Sequence, residues 1–117
     1  MVYSKGDYNS IVIGIITFPH ITSARKVAKS LLEKRLVACI NIIKNIDSIY
    51  WWNKKIEKSK EILILLKTHK NKMRNVVKEV EKMHPYEVPE IIFLPLIFGN
   101  RRYLQWINKE VNDINKL

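Results

Sequence analysis

Apolar positions along this chain change period several times, and each change marks a new element. Residues 11–18 (IVIGIITF) are β-branched and almost continuously apolar, the pattern of a strand buried on both faces or nearly so. Pro19 ends that run, and Thr22 or Ser23 offers an N-cap. Ala24, Val27, Ala28, Leu31 and Leu32 then recur at helical spacing, which predicts an amphipathic helix ending near Arg35. Residues 36–44 (LVACINIIK) and 46–52 (IDSIYWW) return to an extended pattern. Residues 56–59 and 61–68 (EILILLKT) follow a polar triplet, Asn53-Lys54-Lys55. Two long strand-like stretches around a short polar turn predict a β-hairpin, its turn type left open by the missing glycine.

Met73, Val76, Val77, Val80 and Met83 share one helical face, and Pro85 stops this second helix at His84. Residues 91–98 (IIFLPLIF) predict a fourth strand, with Pro95 placing part of it at an edge or a bulge. Gly99-Asn100 supplies a turn and an N-cap. Tyr103, Leu104, Ile107, Val111 and Ile114 then form the stripe of a terminal helix over residues 100–116. The order β-α-β-β-α-β-α predicts an α+β fold. Its first six elements match the split βαβ plan, a four-stranded antiparallel sheet with two helices on one face. The strands are too apolar for the other face to stay wet, and the terminal helix covers part of it at best. An oligomer burying the remainder and the Tyr50-Trp51-Trp52 segment is expected.

At 117 residues the chain is expected to form one domain, with residues 1–10 as an N-terminal extension. The longest early apolar run is too short to span a bilayer, and residues 1–10 contain no apolar h-region, so the expected location is cytoplasmic. One cysteine, Cys39, excludes an intrachain disulfide and any paired-thiolate zinc site. The net charge of +10 admits nucleic-acid or membrane binding in principle. The lysines and arginines are spread over every helical segment, however, so a solvated surface is expected, with neither nucleic acid nor membrane as a partner.

Candidate chemistry concentrates in residues 84–90 (HPYEVPE), where two prolines stiffen a loop carrying a histidine and two carboxylates. His84 closes a helix, where exposed carbonyls favour the imidazolium. Glu87 and Glu90 can return a carboxylate to it or build a His/Glu site for a divalent cation. The bland alternative, favoured on spacing alone, is a C-capping histidine with loop carboxylates. Cys39 reads as a buried, inert thiol, or as a soft ligand for Cu(I) that needs help from another subunit. Lys67 ends an apolar strand from which its ammonium can enter a pocket, and Glu61 begins the same strand. His20 and His69 read as solvated loop residues. Trp51 and Trp52 must face opposite sides of a strand, one for the core and one for a subunit or ligand. There is no phosphate-binding glycine loop, no Gly-x-Ser-x-Gly and no recognisable nucleophile–base pair, so an enzyme is not expected.

The segments Val37-Ala38-Cys39-Ile40-Asn41-Ile42, Ser48-Ile49-Tyr50 with Trp52, Glu61 and Lys67-Thr68 resemble those of the CutA divalent-ion-tolerance proteins. So does His84-Pro85-Tyr86-Glu87-Val88-Pro89-Glu90-Ile91, followed by Leu94-Pro95, Gly99, Tyr103-Leu104 and Trp106. The resemblance runs from Ile11 to Val111. It implies a ferredoxin-like fold and a homotrimer of PII-like architecture, and a role in tolerance of divalent cations, copper especially. It implies an inter-subunit cleft formed by Trp52, Glu61, Lys67, His84, Tyr86 and Glu87, with His84, Glu87 and Cys39 as metal ligands. Binding without turnover is the implied mechanism. The alternative is a PII-like signalling or structural trimer whose clefts take a small anionic ligand, through Lys67, or a protein partner. One departure stands out. Lys54 occupies the hairpin position where the family usually has glycine, so this turn must tolerate or avoid positive φ.

Overall fold

The structure, a computed structural model, describes residues 10–112. Within them the predicted order is observed: β1 (Ile11–Phe18), α1 (Ile21–Glu33), β2 (Cys39–Trp52), β3 (Lys55–His69), α2 (Met73–Met83), β4 (Ile91–Pro95) and α3 (Arg101–Asn112). A short 3-10 turn, Lys70–Lys72, leads into α2. The four strands form one sheet in the order β2-β3-β1-β4, every neighbouring pair antiparallel. The 1–10 extension and Ile114 fall at or beyond the limits of the described residues.

Strand alternation divides the sheet into two faces. Ile16 and Phe18 of β1 and Ile64 and Leu66 of β3 point to the side covered by α1 and α2, where Val27, Leu31, Val76 and Val80 meet them. Full burial of such side chains is worth about 1.5–3 kcal/mol each. Gly14 belongs to the same face, where a Cβ would lie 2.8 Å from Leu66 and 2.9 Å from Phe93. The close approach of two strands' side chains explains glycine inside an otherwise β-branched run. Ile13 and Ile15 point to the opposite face with Leu63, Leu65, Ile92 and Leu94. α3 covers one end of that face through Leu104 and Ile107, which pack on Ile11. Ile92 and Leu94 stay 48% exposed.

Local chemistry moves several boundaries. The N-cap of α1 is His20, and Ser23 instead donates its hydroxyl to the His20 carbonyl at 2.9 Å. Arg35 adopts φ 54° after α1, and Leu36 N–H reaches back to Leu31 O at 3.0 Å, so β2 starts at Cys39 and not at Leu36. β4 stops at Pro95, short of Phe98, because proline cannot extend the edge ladder, and Ile97 is left exposed.

The β2–β3 hairpin closes through two residues, Asn53 and Lys54, at φ 49° and 66°. Positive φ at both positions is the type I′ geometry that matches strand twist. Lys54 therefore accepts the left-handed conformation. A bulge at Lys44 and Asn45, with Asn45 at φ 59°, interrupts the pairing between Ile43↔Leu63 and Ile46↔Glu61. Beyond it, β2 and the first part of β3 run on as a two-stranded ribbon, since β1 pairs only with residues 62–69.

Candidate functional site

A cavity of about 550 Å³ lies where the ribbon leaves the sheet. Thr17 of β1, Glu61 of β3, and Asp47, Ser48, Ile49, Tyr50 and Trp52 of β2 form one side. Tyr86, Glu87, Val88 and Glu90 of the 84–90 loop form the other. The bulge sets the β2 contribution. Upstream of it, odd-numbered β2 residues share the face of Glu61, and downstream Ile46, Ser48, Tyr50 and Trp52 do.

His84 anchors the loop from behind. Its backbone N–H closes α2 on Val80 O at 2.8 Å. Its ring is buried and stacks on Phe18, with centroids 4.5 Å apart. Nδ1 lies 3.0 Å from the Tyr86 backbone N–H, which can only donate, so Nδ1 accepts. Nε2 then carries the proton and donates to Thr17 O at 2.6 Å. This is the neutral imidazole, in contrast to the imidazolium expected at a helix end, and both nitrogens are already engaged. The bonds bring Tyr86 over the cavity. There its hydroxyl donates to Glu61 Oε2 at 2.7 Å.

Glu61, expected to begin its strand, lies in the middle of β3 and is 7% exposed, a buried carboxylate. Partial burial, and then the Glu61 carboxylate, raise Tyr86 well above the usual phenol range, so the hydroxyl stays a donor. Asp47 is paired with Lys60 at 2.7 Å on the exposed ribbon. Glu87 and Glu90 stand exposed at the rim. Among the described residues no lysine or arginine lines the cavity.

Of the six residues expected to share a cleft, Trp52, Glu61, Tyr86 and Glu87 line this cavity, and His84 braces it. Lys67 does not. It lies six residues along β3 from Glu61, about 20 Å of strand, where it pairs with Cys39. Its Nζ donates to Asn41 Oδ1 and lies 3.7 Å from Cys39 Sγ. Cys39 is half-buried on the sheet's open face, not sealed in the core. Tyr103 OH sits 3.5 Å from its sulfur. Burial, and secondarily this thiol, push Tyr103 up to about 12. Cys39 and His84 therefore sit at different ends of the sheet. Among the described residues no three His, Cys, Asp or Glu side chains converge to hold a metal ion. Trp51 and Trp52 face opposite sides, as alternation requires, but neither enters the core. Trp51 is 71% exposed and Trp52 48%. Thr17 and Asp47 of the lining and the buried state of Glu61 were not singled out by sequence, whereas Glu90 was.

A sequence profile of the CutA1 divalent ion tolerance protein family matches residues 12–110. The divalent-cation tolerance protein CutA of Thermus thermophilus is 42% identical over 95 residues, covering 81% of this chain and 92% of that protein. Human protein CutA is 39% identical over 106 residues, covering 91% of this chain but 59% of its own length, so the chain spans about three-fifths of that relative. The solved structure of the periplasmic divalent cation tolerance protein CutA from Archaeoglobus fulgidus superimposes with a TM-score of 0.85 at 39% identity. It covers 87% of this chain and 99% of that one.

Proposed function

The chain belongs to the CutA1 divalent ion tolerance family, and from that premise we propose that it is a homotrimer binding a divalent cation, copper among the candidates, in the 550 Å³ cleft. The observation that carries this reading is the sign of the cleft. A chain of net charge +10 gathers Glu61, Glu87 and Glu90 around one cavity, and among the described residues no lysine or arginine lines it. Local carboxylates set the field that a small ion meets, whatever the charge of the whole surface. The same feature disfavours an anionic ligand at this place.

Glu87 and Glu90 at the rim and the open oxygen of Glu61 are the donors that fit an intermediate or hard cation. Water or a neighbouring subunit completes the coordination, since among the described residues no three such side chains converge on one point. His84 acts by holding Tyr86 and the loop in place. Cys39 with Lys67 and Tyr103 is a separate candidate for a soft ion. The mechanism is binding without turnover, in a protein we place in the cytoplasm; no described helix is long and apolar enough to cross a membrane. The β2-β3-β1-β4 order with two helices on one face supports the ferredoxin-like assignment. The apolar open face supports the trimer.

Titration calorimetry with Cu²⁺ tests the ligand set. Glu87→Gln is expected to weaken binding by at least about tenfold, the loss that even removal of an outer-shell partner brings. His84→Ala weakens it through disorder of the loop. Unchanged affinity in Glu87→Gln together with loss in Cys39→Ser would move the metal to the Cys39 end.

A further inference from the structure

A metal ion uses neither the size of this cleft nor its aromatic walls. Trp52, Tyr50 and Tyr86 present large apolar surfaces to a cavity of about 550 Å³. Glu61 lies among them, 7% exposed. Among the described residues its one hydrogen-bond donor is the Tyr86 hydroxyl on Oε2, and no lysine, arginine or histidine forms an ion pair with it. A buried carboxylate left with an open oxygen is costly, because it has lost water without gaining a positive partner. Glu61 lines the cavity. The missing partner is thus a cationic N–H donor that fits between aromatic rings.

We propose that the cleft binds a small aliphatic diamine. One ammonium donates to Glu61, the methylene chain packs on Trp52 and Tyr50, and the second ammonium meets the rim carboxylates Glu87 and Glu90. Aromatic faces attract ammonium groups through the ring quadrupole, and they shed water from the methylene stem. A dicarboxylate of equal length finds only repulsion there. The inference shares the cleft with the metal reading but names a different class of ligand.

The experiment is calorimetric titration of the full chain with putrescine in a chelating buffer at low salt, followed in parallel by tryptophan fluorescence. The chelator removes metal, so failure here and failure of copper binding are separate results. One saturable site per chain is expected. Glu61→Gln keeps an acceptor for Tyr86 and should weaken binding at least about tenfold. Trp52→Ala should weaken it independently and quench the fluorescence response. Glutarate should not bind. Absence of a saturable putrescine signal would overturn the proposal, as would equal affinity in both variants or binding of glutarate instead. So would dissociation of the oligomer by Glu61→Gln without any amine binding in the parent, which would assign the missing cation to a neighbouring subunit.

Discussion

Single side chains in this protein are decided by partners far away in sequence. Glu79 of α2 is buried at 7% exposure and accepts hydrogen bonds from Lys34 at 2.8 Å, Ser30 at 2.6 Å and Lys82 at 3.2 Å. It clamps α2 to α1. Lys34 foremost, then Ser30 and Lys82, hold its carboxyl down to about 2, against an ordinary 4.5. A depressed carboxylate stabilises the fold fully above its unfolded value, and that contribution is lost as pH falls through the folded value. Urea denaturation from pH 5 to pH 2 should therefore show a falling midpoint that Glu79→Gln flattens. An identical slope in that variant would remove Glu79 from the acid response. Nothing in the local pattern marked this residue, since a glutamate among lysines on a helix reads as solvated. His84 is similar. Its position after α2 and before Pro85 was legible, but its tautomer depends on Thr17 O, 67 residues away.

At the level of elements, helices were read well because a 3.6-residue stripe needs only its own segment to be recognised. Val27, Leu31, Val76 and Val80 are buried where that stripe placed them. Strand ends and turns depended on backbone conformations that side-chain pattern does not encode. Arg35, Asn45, Asn53 and Lys54 all adopt positive φ. A lysine in the left-handed region carries a steric cost that glycine avoids, partly offset by glycine's greater unfolded freedom. Lys54→Gly should therefore stabilise the hairpin by about 0.5–1 kcal/mol, seen as a higher thermal midpoint with unchanged cleft binding. A lower midpoint would mean that Lys54 makes contacts worth more than its strain. The cleft was half legible. The stiff 84–90 loop announced itself through its prolines, whereas its convergence with Glu61 required the sheet register.

The whole molecule leaves one sheet face only partly covered. Ile13, Ile15, Leu63, Leu65, Ile92 and Leu94 form an apolar surface beside α3, too continuous for a solvated monomer face. If three copies close over it, a charge placed there should separate them. Leu94→Lys should sediment as a monomer at micromolar concentration while retaining its circular dichroism; an intact trimer would put the interface elsewhere. Within each copy, the ribbon holds a mismatch that no sequence change at the cleft itself can remove. The sheet fixes Ile43 against Leu63 and the turn fixes Trp52 against Lys55, so nine steps on one strand face eight on the other. The surplus residue behaves like a dislocation in a crystal: it must exist, but its position is free. It rests at Asn45, a residue type that tolerates the left-handed backbone. Moving that tolerance toward the turn would carry the dislocation along the ribbon and exchange inward for outward side chains behind it. The cleft wall could then be rewritten by relocating one asparagine, with hairpin length and composition unchanged.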